Sequence, residues 1–198
     1  MTVNQSRRQN NHKKNNTRKN SRSSVYVIHM AEAKERIPLV NKLQKITGAK
    51  IFHALKLPDG VNGCRESHMK LYHEAPPGPI TVFEDDCEIV RPDLLTLINQ
   101  HKDEHDIIYL GVNSVNKNGT SYGTHAMWIS SKARAAFLKD ASSIIDIPLD
   151  KMWSKVIKNN KLRAYKPPKV HEYVRQKPGL RSYISGKVWK NYGHKIST

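Results

Sequence analysis

The segment Ile80-Thr81-Val82-Phe83-Glu84-Asp85-Asp86-Cys87-Glu88-Ile89-Val90 constrains the fold of this chain more than any other. An apolar, β-branched run that follows Pro79 reads as an interior strand, and it ends abruptly in three adjacent carboxylates. The acids therefore stand at the carboxyl end of a strand, where open α/β sheets bind their ligands. Three neighbouring carboxylates repel one another, so they are stable only if solvated, sharing protons or holding a cation. A hard divalent ion, completed by water and a diphosphate, satisfies the charge; so does a solvated acidic turn.

The rest of the chain fits a domain built around such a strand. Val25 to His29 is a β-branched strand, followed by a helix from Glu32 to Ile46 with Ile37, Val40 and Leu43 at helical spacing. Lys50 to His53 reads as a strand and Gly63 to Glu74 as a helix stopped by Pro76-Pro77-Gly78. After the acidic strand come a helix from Pro92 to about His101, a strand from Asp106 to Leu110 ended by Gly111, and a polar loop at Gly119 to Gly123. A strand from His125 to Ile129, a helix from Ser131 to Leu138 capped by Ser130 or Ser131, and a helix from Ile147 to Asn159 complete the series. Alternation of this kind predicts an α/β domain with a mostly parallel sheet covered on both faces.

With 198 residues the chain is expected to form one domain with a substantial core. Cys64 and Cys87 are the only cysteines, too few for a disulfide framework or a cysteine-based zinc site. No apolar run approaches the roughly 20 residues that cross a bilayer, and the amino terminus lacks a signal-like apolar stretch, so a soluble, cytoplasmic protein is expected.

The net charge is +17, and its placement matters more than its size. Residues 1–24 carry Arg7, Arg8, Lys13, Lys14, Arg18, Lys19 and Arg22 without an acid, the composition of a disordered basic arm. Residues 176–198 also lack acids and interleave Lys177, Arg181, Lys187, Lys190 and Lys195 with Tyr183, Trp189 and Tyr192. All 17 acids thus fall in residues 25–175, the expected catalytic domain. Basic ends studded with aromatics suit a nucleic acid, an anionic membrane surface or simple solubility.

Six segments in order resemble glycosyltransferase family 25, which includes lipooligosaccharide and collagen galactosyltransferases. They are Val25-Tyr26-Val27-Ile28-His29-Met30 with Arg36 downstream, Gly63-Cys64-Arg65-Glu66-Ser67-His68, Phe83-Glu84-Asp85-Asp86, Asp106-Ile107-Ile108-Tyr109-Leu110-Gly111, Gly123-Thr124-His125-Ala126-Met127-Trp128-Ile129-Ser130 and Pro148-Leu149-Asp150. The resemblance covers residues 25–185. It implies a GT-A-like, Rossmann-like transferase that uses a nucleotide-sugar donor and a divalent metal, Mn²⁺ or Mg²⁺, and inverts the sugar.

By the same resemblance Asp86 is the first metal ligand, joined by Asp85 and by His171 from late in the chain. Arg36, Ser67, His68, Glu84 and Asp85 fall at donor-binding positions, and Asp150 becomes the acceptor-side base or acceptor contact. Each has a plainer reading: Arg36 as an exposed helix residue, His68 as a packed structural histidine, Asp150 as a helix cap. The basic ends depart from the family's pattern, and the acceptor region is shorter than in many relatives. Two acceptors follow, a hydroxymethylated base in DNA, as in viral DNA modification, or a bacterial surface glycolipid sugar. A non-catalytic nucleic-acid-binding protein on a degenerate transferase core is the alternative of another class. A phosphoryl- or nucleotidyl-transferring enzyme ranks last, because no glycine-rich P-loop is present.

Overall fold

A computed structural model describes residues 24–115, 121–144, 147–169 and 171–180. The basic arm, apart from Ser24, and the tail from residue 181 onward lie outside the described residues, as does the segment 116–120, which overlaps the start of the expected polar loop.

The chain opens with β1 (Ser24–His29), a short 3₁₀ turn at Lys34–Arg36, α1 (Ile37–Thr47) and β2 (Lys50–His53). Pro38 in the first turn starts α1 where no backbone donor is needed, and Gly48 ends it in the left-handed conformation at φ 69°. Next come α2 (Gly60–Glu74), capped by Asp59 accepting from the Val61 amide, and β3 (Ile80–Glu84). The segment 80–90 holds two strands, because the chain turns at Asp85-Asp86 and resumes as β4 (Cys87–Ile89). α3 (Leu94–His101) begins two residues later than expected, after Pro92 and Asp93. β5 (Ile107–Gly111) follows, then a small hairpin of β6 (Ser114–Val115) and β7 (Ser121–Tyr122), and β8 (Ala126–Ile129). α4 (Ser131–Ala141) is capped by Ser130, whose hydroxyl accepts from the Ala133 amide at 3.1 Å. α5 (Leu149–Asn159), β9 (Ala164–Tyr165) and β10 (Val174–Gln176) complete the order.

Six strands form the main sheet in the order β2-β1-β3-β8-β5-β9. Only β8 runs against the others, so the sheet is mostly parallel, as the alternating pattern predicts. Side chains alternate between two cores. Tyr26, Ile28, Ile80, Val82, Tyr109 and Met127 face α2, α4 and α5. Val27, Phe83, Ile108, Leu110 and Trp128 face α1 and α3. Burial on both faces explains why these strands read as continuous apolar runs.

The connection after β1 leads through α1 on one face to β2, and the connection after β2 returns through α2 on the other face to β3 on β1's opposite side. The carboxyl ends of β1 and β3 therefore flank a topological switch point, the place where doubly wound sheets open a crevice. The three acids stand there.

Candidate active site

Pairing of Ile28 with Glu84 sets the next residues, His29 and Asp85, side by side at the sheet edge. The Asp85 carboxylate is held from three directions. His29 Nδ1 lies 2.9 Å from Oδ2, the Met30 amide donates to the same oxygen at 3.1 Å, and the Arg36 guanidinium donates to Oδ1. Arg36 is buried, 5 % exposed, so its reading as a surface helix residue fails. Instead the 3₁₀ turn after β1 folds it under the acids, with Nη1 also 3.8 Å from Asp86 Oδ2. Burial drives its proton off, but Asp85 and Asp86 outweigh that and hold its pKa above the usual value.

Asp86 is anchored less fully. Gln176 Nε2 donates to Oδ2 at 3.1 Å and the Lys177 amide donates to the Asp86 carbonyl at 2.8 Å. These contacts come from the last residue of β10 and the residue after it; β10 pairs antiparallel with β4 and brings Gln176 opposite Cys87. Oδ1 is buried and has no hydrogen-bond partner. Burial, then the nearby Glu84 charge and to a lesser degree Asp85, push the Asp86 carboxyl up to about 7 against the pull of Arg36. A carboxylate in that state fits a hard divalent cation, which would supply the missing partner for Oδ1 and the missing positive charge.

Glu84 sits between two histidines. His68 Nε2 is 3.6 Å from Oε1, and the Glu84 amide donates to the His125 carbonyl at 2.7 Å. Burial raises its pKa, but His68, His125 and Arg36 together hold it below the ordinary value. His68 is buried on α2, with Nδ1 3.0 Å from the Tyr72 hydroxyl. Ser67 is committed to backbone: its hydroxyl donates to the Gly63 carbonyl at 2.6 Å and accepts from the Leu55 amide at 2.8 Å. It pins the loop before α2 to the helix.

Two clefts open on this cluster. The first encloses about 790 Å³, its solvent mouth included, and runs from Arg36 and Asp86 past Lys56 to Gly63 and His68. The second, about 670 Å³, lies beside Asn113, Thr124, His125 and Asp150. Cys64, Glu84 and Gln176 line both and form the wall between them.

Asp150 stands in the first turn of α5, one residue inside the helix, and Pro148 occupies the cap position. Its Oδ1 accepts from the adjacent Lys151 amide at 2.8 Å. His171 sits apart from both clefts, in a left-handed backbone at φ 60°, and acts electrostatically on His125. The structure thus brings Arg36, Ser67, His68, Glu84, Asp85 and Asp86 to one cleft and Asp150 to its neighbour, with His171 behind.

His29, Asn113, His125 and Gln176 are site residues that reading the sequence for chemistry missed. His125 is 1 % exposed, its ring lies against the Val174 backbone, and burial pushes its imidazole down to about 4. It fits because position 111 is glycine. A β-carbon there would lie 2.2 Å from the Val174 carbonyl oxygen and 2.6 Å from His125 Nε2. The available signals were the Gly111 strand end and the place of His29 opposite Asp85.

No protein-family model matches the chain, and no curated protein matches its sequence. Solved structures do match in fold. The catalytic domain of Drosophila beta-1,4-galactosyltransferase 7 in complex with xylobiose aligns at a TM-score of 0.51 and 9 % identity, over 78 % of this chain and 70 % of that one. A mutant of that enzyme with manganese, UDP-Gal and xylobiose aligns at 0.50 and 8 % identity over the same shares. A glycosyltransferase involved in glycosylation of the major capsid of PBCV-1 aligns at 0.48 and 10 % identity, over 73 % of this chain and 81 % of that one. The fold of this chain is that of GT-A-type glycosyltransferases.

Proposed function

We propose that this protein is a nucleotide-sugar-dependent glycosyltransferase, with the donor in the first cleft and the acceptor in the second. The observation that carries the reading is the pair of clefts meeting at Glu84 over the switch point, with the partnerless Asp86 Oδ1 on the donor side. Asp86 would hold a divalent cation, Mn²⁺ or Mg²⁺, with Asp85 beside it. When bound, that cation neutralises charge growing on the departing nucleoside diphosphate. Asp85, already gripped by His29 and Arg36, keeps the acidic turn in place, and Lys56 lies on the donor wall. His68 and Ser67 hold α2 against that cleft, His68 through Glu84 and Ser67 through the Leu55 loop. Burial, with a smaller contribution from His171, keeps His125 neutral, and His171 lines neither cleft, so it is not our choice of ligand.

Asp150 is the proposed base. It takes the acceptor hydroxyl proton as that oxygen attacks the anomeric carbon and the nucleoside diphosphate leaves from the opposite face, inverting the sugar. The described lining of the second cleft holds Asn113, Thr124 and His125 but no lysine or arginine, which suits a neutral hydroxyl-bearing group. A hydroxymethylated base entering there, with its phosphates on the basic ends, is the acceptor we favour; the same lining, free of lysine and arginine, also supports a bacterial surface glycan sugar. Among the described residues no helix is long and apolar enough to cross a membrane.

The test screens nucleotide sugars for Mn²⁺- or Mg²⁺-dependent binding and hydrolysis. Glycans and hydroxymethylated DNA are then offered to the accepted donor. We expect one donor to bind and turn over, with activity lost in Asp86→Ala or in excess chelator. Binding of no nucleotide sugar overturns the transferase reading, and full turnover without Asp86 or without metal overturns the role of the cation.

A further inference from the structure

Cys64 and His68 stand four residues apart on α2 and therefore share one face of that helix. Glu84, at the end of β3, meets them across the wall between the clefts. The sulfur, a ring nitrogen and a carboxylate oxygen of these three residues all lie within 4.8 Å of one another. His68 is 1 % exposed, and the nearest partner of its buried Nε2 is Glu84 Oε1 at 3.6 Å, beyond a normal hydrogen bond. From behind, the Tyr72 hydroxyl meets Nδ1 at 3.0 Å, and Tyr72 is itself held edge-on by Phe137 and Trp153. A histidine with one nitrogen fixed and the other aimed into a cluster of donors has the arrangement of a metal ligand supported by an outer partner.

We propose that Cys64, His68 and Glu84 form a second cation site, selective for a borderline-soft divalent ion of the Zn²⁺ class. The donor set decides the class, because a thiolate and an imidazole favour zinc-like ions and disfavour Mg²⁺, which Asp86 suits better. Sulfur, nitrogen and oxygen supply three ligands, and both clefts leave a further position open to water. Burial pushes the Cys64 thiol well up, so a cation enters by displacing its proton to solvent, after which the sulfur lone pair binds the ion. His68 binds through the Nε2 lone pair, its proton resting on Nδ1 toward Tyr72. The site does not depend on sugar transfer.

The test titrates the full chain, with chelated metal removed, using Co²⁺ as a spectroscopic probe and Zn²⁺ as competitor. The expected result is a thiolate-to-cobalt charge-transfer absorption that saturates at one equivalent and is bleached by Zn²⁺ but not by Mg²⁺. Cys64→Ser should abolish that absorption, and His68→Gln should weaken Co²⁺ binding by at least about tenfold. Asp86→Asn and Cys87→Ser should retain it. Folded wild type without the absorption overturns the site whatever the variants do. Survival of the absorption in Cys64→Ser, or its loss in Cys87→Ser, overturns the assignment.

Discussion

Replacing Asp86 by Asn should stabilise the protein without metal, and by more as pH rises. The folded carboxyl titrates at about 7 and the unfolded one near the ordinary aspartate value of 3.8, a gap of about 3 pH units. At about 1.36 kcal/mol per unit, its ionisation costs the fold up to about 4 kcal/mol above pH 7. Between pH 4 and 7 the folded chain keeps a proton that the unfolded chain has released, so stability falls as pH rises through that window. His125 works the other way. Its folded value of about 4 lies below the ordinary 6.5, so the unfolded chain binds the extra proton and stability rises from pH 4 to 6.5. The two slopes oppose each other in wild type, which makes the difference between wild type and Asp86→Asn the informative quantity, since both share His125. That difference should grow by up to about 3 kcal/mol between pH 5 and 7 and then level off. For a chain of this size it corresponds to roughly 5–10 °C in Tm. Denaturant melts of both proteins in chelator, from pH 5 to 8.5, measure it. Parallel stability curves, or a variant less stable than wild type at pH 8, would refute the argument that burial and the Glu84 charge strain Asp86.

Asp150→Asn should lower the rate of transfer by roughly 10²- to 10⁴-fold while donor affinity holds, as read by single-turnover kinetics beside donor titration. Equal loss of donor binding would instead make Asp150 a donor contact. Gly111→Ala should cost about 1–3 kcal/mol in denaturant melts, because its new carbon meets the Val174 backbone and the His125 ring, neither of which is a flexible chain end. Deleting residues 1–23 removes seven basic side chains and should flatten the salt dependence of DNA binding by several units without changing donor affinity. An unchanged slope would end the preference for a DNA acceptor.

Much of this fold is legible because both faces of the sheet are buried. β1, β3, β5 and β8 are runs of apolar and β-branched residues, and Ser130 announces α4 by its own capping chemistry. The position of the acids at a strand end is legible for the same reason. β9 and β10, two and three residues long, carry no periodicity, and they form through pairing with β5 and β4 far away in the chain. Gln176 is therefore invisible as a site residue until β10 lays it beside Asp86. The family resemblance singles out Ser67, but no pattern shows that its hydroxyl is already spent on Gly63 and Leu55. His125 lies inside a recognisable segment, and only the absence of a side chain at Gly111 reveals how its ring is accommodated.

The dependence of Asp86 on β10 also has a consequence for biosynthesis. Every strand of the six-stranded sheet has been made by Tyr165, whereas the amide of Gln176 and the backbone of Lys177 that steady the acidic turn come later. As the chain emerges from the ribosome, the scaffold can close before its reactive corner does. Until residues 174–177 are extruded, the growing polypeptide carries a completed sheet whose Asp86 carboxylate is still unsecured.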